Sequence, residues 1–148
     1  MRKFLLAVLM LACSLTLLGK TQAQQAPAFT LTIHVTGFRN ATGRLGAAIY
    51  SNANGWPEDL SKALVHDHTS IKNGEATIQF KLPAGTYSVA VLHDENGNQK
   101  LDRNIFGFPK EGFGFSNNVK AALSAPAWQK CSFTLDGDKT VEVALQYK

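Results

Sequence analysis

The chain has 148 residues, of which 45% are hydrophobic and 18% charged, with 15 basic and 11 acidic side chains. Three of the basic residues, Arg2, Lys3 and Lys20, lie in a leader that we expect to be removed, so 12 basic side chains remain against 11 acidic ones. This near balance argues against a nucleic-acid partner, which requires a basic surface. The 125 residues that follow the 23-residue leader are a normal length for one domain.

Residues 1–23 have the features of a bacterial signal peptide. Two basic residues precede an apolar run of 15 residues, Phe4–Leu18. A segment typical of a signal-peptide cleavage site follows and ends at the small residue Ala23. The run is shorter than the roughly 20 residues of a spanning helix, so we expect export to the periplasm or the exterior and no transmembrane segment in the mature chain. Cys13 resembles a lipoprotein processing site, but the apolar run continues beyond it, which argues against a lipid anchor. After cleavage only Cys131 remains, so no intramolecular disulfide can form.

The predicted domain spans residues 29–148, after a short tether at 24–28, and opens with two alternating segments. "FTLTIHVTG" (29–37) alternates apolar and polar side chains, as a half-buried strand does, and "GRLGAAIYS" (43–51) repeats the pattern. A loop containing Gly55 and Pro57 follows. Residues 66–82 place Asn73 and Gly74 between two β-favouring runs, which predicts a hairpin.

The second half of the domain contains a central strand, a long irregular segment and a second hairpin. "LPAGTYSVAVLH" (82–93) is apolar on both faces, which predicts a strand covered on both sides. Residues 94–129, rich in Gly, Asn and aromatic side chains, predict a long loop beside one end of the fold. Residues 131–147 predict the second hairpin. About seven short strands separated by turns indicate an all-β fold, an antiparallel β-sandwich of the Ig-like or prealbumin-like kind.

The stretch "HDENGNQKLD" (93–102) places oxygen-bearing side chains at alternate positions, in the spacing of a calcium-binding loop. Calcium prefers several converging oxygen ligands, which alternate residues on a tight turn can supply. The predicted ligands are the side chains of Asp94, Asn96, Asn98 and Asp102 and the main-chain carbonyl of Lys100.

Two departures from the calcium template lower the expected affinity. Gln99 stands where the template has Gly for a sharp turn, and Ile105 stands where a bidentate Glu closes the shell. Glu111 could complete the shell from the following loop. We therefore expect weak Ca²⁺ binding, with a Kd of about 10⁻⁴–10⁻³ M. The alternative is an array of Asx turns, in which Asp and Asn side chains accept hydrogen bonds from nearby main-chain amides.

A catalytic role for this stretch is the less favoured interpretation. It would be a hydrolase-like site around His93, Asp102 and Glu111, and it requires the three side chains to share a concave pocket. No Ser or Cys stands in a nucleophile motif, and the parity of His93 along its strand places it with the core-facing residues. His66 and His68 share one strand face, and without further ligands they indicate a solvated face rather than a metal site.

A second dense stretch, "IFGFPKEGFGFSNN" (105–118), interleaves phenylalanine with glycine. Its rings form either a binding surface beside the calcium-like loop or a plug that closes the end of the sandwich, and burial is the usual state of Phe. The four rings belong to Phe106, Phe108, Phe113 and Phe115. Cys131 alternates with Phe133 and Leu135 and is predicted to be a small core residue.

The run "LPAGTYSVAVLHDENGNQKLDRNIFGFPKEGFGFSNN" (82–118) resembles the signature of a bacterial family of small exported proteins, the domain of unknown function 2141. "GRLGAAIY", "GWPE" and "APAWQKCSF" support the resemblance over nearly all of the mature chain. Members usually have Gly at the position of Gln99 and Phe at that of Trp128. "LPAGTYSV" is also similar to strands of transthyretin-like and carboxypeptidase-regulatory-like sandwich domains, which agrees with the fold derived above.

Together these features predict an exported binding or structural module of the bacterial cell envelope. Its partner would be an envelope protein or a glycan, and a weak Ca²⁺ site would hold the aromatic loop in place. The family resemblance implies no activity, and the residues favour a protein that is not an enzyme.

Overall fold

The computed structural model describes residues 27–148, so the predicted leader and Cys13 lie outside the described residues. The strands are β1 (Ala28–Thr36), β2 (Arg44–Tyr50), β3 (Val65–Thr69), β4 (Glu75–Pro83), β5 (Gly85–Asp94), β6 (Phe113–Phe115), β7 (Phe133–Leu135) and β8 (Lys139–Ala144). One short helix, α1 (Trp128–Cys131), and 3₁₀ turns at Leu60–Lys62 and Ser116–Asn118 lie between them. Across residues 27–148, no helix has the length and apolarity needed to cross a bilayer.

The strands form two packed sheets, which confirms the all-β sandwich. The smaller sheet has the order β4-β1-β8, and the larger has the order β3-β2-β5-β6, with β7 also paired to β5. Every strand pair is antiparallel except β1 and β8, which run parallel with Ile33 opposite Val141. Alternate residues of both sheets meet in one core, as the periodicity predicts. Its fully buried aliphatic members are Leu31, Ile33, Val35, Leu45, Ile49, Val89 and Leu135.

Neither predicted hairpin pairs its two strands, although the turn of the first one forms. Asn73 and Gly74 have φ of 53° and 79°, and the amides and carbonyls of Lys72 and Glu75 bond across them as in a tight hairpin turn. However, β3 and β4 then separate into different sheets, and so do β7 and β8. The turn is a local preference, whereas a strand pairs where its apolar face is buried.

The prediction that β5 is covered on both faces is confirmed. It lies between β2 and β6 in the larger sheet, and the segment after it folds over the outer face of that sheet. A second apolar cluster forms there around Phe113, Phe115 and Cys131, with Trp56 and Leu101 packed against it. The segment 94–129 therefore contains a strand, β6, and covers a sheet face, where the sequence predicts only a loop at one end. Three residues are too few for an alternation to be recognised.

Candidate ligand-binding cleft

A cleft of about 760 Å³ lies on the outer face of the larger sheet, beneath the loops that follow β5 and β6. Its floor consists of two cross-strand rows, each with large side chains at both ends and small or aliphatic ones between them. The first row is His66, Ala48, Ala90 and Phe115. The second row is His68, Gly46, Leu92 and Phe113. At about 4.8 Å between strands, each row spans about 14 Å, and each is concave because its lowest point is a small residue, Ala48 or Ala90 in the first row and Gly46 in the second.

Gly46 keeps the middle of the floor open. Its φ is not positive, so the backbone does not require glycine there. A Cβ added to it would meet only the Leu92 carbonyl oxygen, at 3.9 Å, so packing does not require glycine either. A glycine inside a strand weakens the strand and often marks a close approach by another molecule. The effect of this residue is to leave room above the sheet.

The walls of the cleft are apolar and aromatic. All four predicted Phe residues line it, but Phe113 and Phe115 are buried whereas Phe106 and Phe108 are exposed at its mouth. Phe113 and Phe115 are therefore buried, as a plug requires, but on the outer face of the larger sheet and not at the end of the sandwich, and the other two rings lie on the surface. The opposite wall is the small-residue segment 121–125. Whether these rings bind a partner remains a prediction.

Seven charged side chains line the cleft, and most of them are bonded to other groups of the chain. Arg44 donates from Nε to Asp94 Oδ2 at 3.1 Å, and Arg103 forms an ion pair with Glu58. Lys148 donates from Nζ to two carbonyls of the wall segment, at 2.8 Å each. Because most of these charges are bonded within the chain, the apolar residues between them supply the surface that a small molecule would contact.

The four predicted calcium ligands come together at one end of the cleft. The Asp102 carboxylate accepts hydrogen bonds from the amide nitrogens of Asn96 (2.6 Å) and Asn98 (3.0 Å). The side-chain oxygens of these two Asn residues accept instead from the main-chain amides of Asn98 and Lys100. Asp94 accepts from the amides of Asn98 and Gln99. This is an Asx-turn array, and calcium binding stays a prediction.

The two departures from the calcium template have different structural outcomes. Gln99 has φ of 63°, so the chain adopts the left-handed turn for which the template uses Gly. Ile105 lies on the surface and supplies no oxygen. Among residues 27–148, no set of three or more His, Cys, Asp or Glu side chains is arranged to hold a metal. His66 and His68 therefore belong to no such set within these residues.

Glu111 acts as a brace for the loop, meaning that its one side chain bonds to both ends of the loop. Its Oε1 accepts from the Glu95 amide at 2.9 Å and its Oε2 from the Asp102 amide at 3.1 Å, so one buried carboxylate ties both ends of the loop. Arg39 adds a second brace through a bidentate ion pair with Glu95, at 2.6 and 2.7 Å. This guanidinium lowers the pKa of Glu95. The loop is thus held from both sides of its base.

His93 is buried and satisfied. Its Nε2 lies 2.8 Å from the Thr42 carbonyl oxygen, which can only accept, so Nε2 carries the proton and Nδ1 accepts from the Tyr147 hydroxyl at 2.8 Å. The ring also packs edge-on against Phe38. Neither His93 nor Asp102 nor Glu111 lines the cleft. The geometry therefore lends no support to the hydrolase-like alternative.

The sequence model of one family, described as "Uncharacterized protein conserved in bacteria (DUF2141)", matches residues 33–143. The chain belongs to this family. The match confirms the resemblance carried by residues 82–118, and it spans both rows of the cleft floor. No curated protein and no solved structure matches the chain.

The floor of the cleft is the part that sequence reasoning missed. In the DUF2141 stretch "GRLGAAIY", the alternating pattern directs attention to Leu45, Ala47 and Ile49, which face the core. The small residues between them, Gly46 and Ala48, form the floor. The signal in the sequence was that two successive residues on the outer face of β2 are both small.

Proposed function

We propose that this protein is an exported binding module that takes a small apolar or amphipathic molecule in the cleft over the larger sheet. The observation that carries the proposal is the pair of concave rows, with Gly46 at a position where neither backbone nor packing requires glycine. A floor of small and aliphatic residues between aromatic ends would accept a flat or extended apolar body.

The size and chemistry of the cleft support this function. Its volume of about 760 Å³ falls within the roughly 300–1,000 Å³ of small-molecule sites. Phe106 and Phe108 stand exposed at its mouth, so a bound apolar molecule would remove their surface from water. The predicted leader supports a location in the periplasm or outside the cell, and an envelope protein or glycan could supply or receive the ligand.

Binding can be tested with N-phenyl-1-naphthylamine, a neutral probe that fluoresces in apolar sites. Gly46→Leu places a branched side chain on the floor, and we expect a loss of affinity of at least about tenfold, the factor carried by one well-packed apolar group. Gly137→Leu is the matched control. Like Gly46, Gly137 has no positive φ, and a Cβ added to it would meet no atom within 4 Å. Undiminished binding by Gly46→Leu, or an equal loss in Gly137→Leu, would refute the proposal.

We propose in addition that the loop from Asp94 to Asp102 binds Ca²⁺ weakly. In support, its oxygen-bearing side chains lie around Asp102, with the Asn96 and Asn98 amides 2.6 and 3.0 Å from that carboxylate. Binding would require both carboxamides to turn so that their oxygens face the ion, at the expense of their Asx-turn bonds. The lost bonds agree with a Kd near the millimolar end of the range for calcium modules.

Calcium binding is tested by thermal unfolding. With a Kd of about 1 mM and Ca²⁺ at about ten times that value, mass action stabilises the native state by about 1.4 kcal/mol, a rise in Tm of about 3–6 °C. Mg²⁺ is the control ion, since it demands a stricter octahedral geometry. An unchanged Tm in Ca²⁺, or the same rise in Mg²⁺ and in the Asp102→Asn variant, contradicts the proposal.

A further inference from the structure

The large apolar side chains that remain exposed are concentrated around the mouth of the cleft. Within residues 27–148 there are five such side chains, and four lie on the two mouth loops, 103–109 and 121–125. They are Ile105 (93% exposed), Phe106 (77%), Phe108 (54%) and Leu123 (100%). The fifth, Leu64 (51%), lies elsewhere, beside a smaller groove. Clustered exposed apolar residues mark a surface that another molecule or a membrane covers.

The first of these loops holds its apolar residues in a fixed turn. The side chain of Asn104 accepts from the amides of Phe106 (2.9 Å) and Phe108 (3.1 Å), and its main chain bonds both to Phe108 and to Gly107. Ile105 and Phe106 therefore stand at the apex of a closed turn. A preorganised apex loses little conformational entropy when it is buried by a partner.

The exposed charges of the segment that contains both mouth loops have one sign. Between residues 103 and 127 the basic side chains Arg103, Lys110 and Lys120 are all exposed, and the single acidic residue, Glu111, is buried. Arg103 is already paired with Glu58, which leaves the two lysines as the unpaired cations of the segment. Apolar tips flanked by lysine are the composition of segments that enter the headgroup region of an anionic bilayer.

We propose that the two mouth loops dock this protein on the surface of an anionic lipid bilayer. Ile105, Phe106 and Leu123 enter the boundary between headgroups and acyl chains, and Lys110 and Lys120 contact lipid phosphates. The open side of the cleft then faces the membrane, so that an amphipathic molecule passes between bilayer and cleft without crossing water. The docking itself does not require the cleft to be occupied, and it is tested separately from ligand binding.

The test is co-flotation of the exported chain with vesicles of phosphatidylethanolamine and phosphatidylglycerol, compared with vesicles of phosphatidylcholine. Ile105→Ser and Leu123→Ser are each expected to lower the partition coefficient by about tenfold, the factor for one buried aliphatic side chain. Lys110→Gln and Lys120→Gln are each expected to lower it about fivefold on the anionic vesicles, an effect that high salt removes. Leu64→Ser is the matched control and keeps wild-type binding.

Ile105 does not line the cleft, so Ile105→Ser separates docking from ligand binding. Loss of vesicle binding with unchanged probe fluorescence supports docking whatever the outcome for the cleft. Absence of flotation, or equal losses in Leu64→Ser and Ile105→Ser, overturns the proposal. It is also overturned if analytical ultracentrifugation shows a dimer that Ile105→Ser dissociates while vesicles remain unbound, because the apolar tips would then join two copies of the chain.

Discussion

The hydrogen bonds of Glu111 should stabilise the loop beside the cleft, and a substitution of this residue tests that expectation. Its carboxylate accepts from the amides of Glu95 and Asp102, and Glu111 is only 4% exposed. Glu111→Gln preserves the shape of the side chain but replaces one oxygen with an NH₂ group. One of the two amides then loses its acceptor and faces a donor, and the other keeps only a neutral acceptor.

The expected magnitude follows from these two bonds. A hydrogen bond to a charged group contributes about 1.5–3 kcal/mol, and the remaining bond falls to roughly half its strength when the charge is removed. Glu111→Gln should therefore lower the free energy of unfolding by about 2–4 kcal/mol. The control is Glu58→Gln, which breaks a surface ion pair with Arg103 and should cost about 0–1 kcal/mol.

Urea unfolding measures the loss, and hydrogen exchange locates it. The Glu95 and Asp102 amides should exchange faster in Glu111→Gln, while amides in the paired strands of the smaller sheet keep their relative protection. A loss below about 0.5 kcal/mol with both amides still protected would refute the brace. If the destabilisation appears only in the presence of Ca²⁺, Glu111 is an ion ligand and the reasoning from the two amides is wrong.

Three further predictions concern other sites. Gln99→Gly should raise the free energy of unfolding by about 0.5–1 kcal/mol, because relief of left-handed strain outweighs the extra chain entropy of glycine, whereas Gln99→Ala should not; urea unfolding decides. Glu142 and Glu75 raise the pKa of His34, so its contribution to stability is complete below its ordinary pKa of about 6.5 and is lost as the pH rises through the folded value. The stability difference between wild type and His34→Gln should shrink accordingly, and a difference independent of pH would contradict it. Burial raises the pKa of Cys131 to about 11, so a thiol reagent at neutral pH should modify it only after unfolding, and rapid native-state labelling would disprove that burial.

Local patterns predicted the parts of the site that are built from adjacent residues. The Asx turns of residues 94–102, stated as the alternative to calcium ligation, and the core-facing position of His93 follow from spacing along the chain, and both occur in the structure. The sequence predicts that the four Phe residues act together, as one surface or as one plug, whereas in the structure two are buried and two are exposed. That division depends on β6, which adds Phe113 and Phe115 to the sheet edge and leaves the preceding turn outside.

The cleft could not be predicted from the chain because its rows join residues that are far apart in sequence. His68, Gly46, Leu92 and Phe113 become neighbours only when β3, β2, β5 and β6 pair in that order and register. The alternation within a strand shows which of its residues face the core, but it does not show which strands lie beside it. The predicted hairpins show the same limitation, since the Asn73–Gly74 turn forms while β3 and β4 join different sheets, and β7 and β8 also join different sheets.

The order of residues along the chain is enough to predict which side chains of each strand face the core and that the chain turns at Asn73–Gly74. Both features depend on backbone geometry within a few residues, where a period of two or a positive φ acts directly, and family membership rests on the residues themselves. The parallel pairing of β1 with β8, the order of the larger sheet and the concave floor at Gly46 emerge only when the chain is folded. These depend on non-local pairing, in which the apolar faces of distant strands are buried together, and no single segment carries that information.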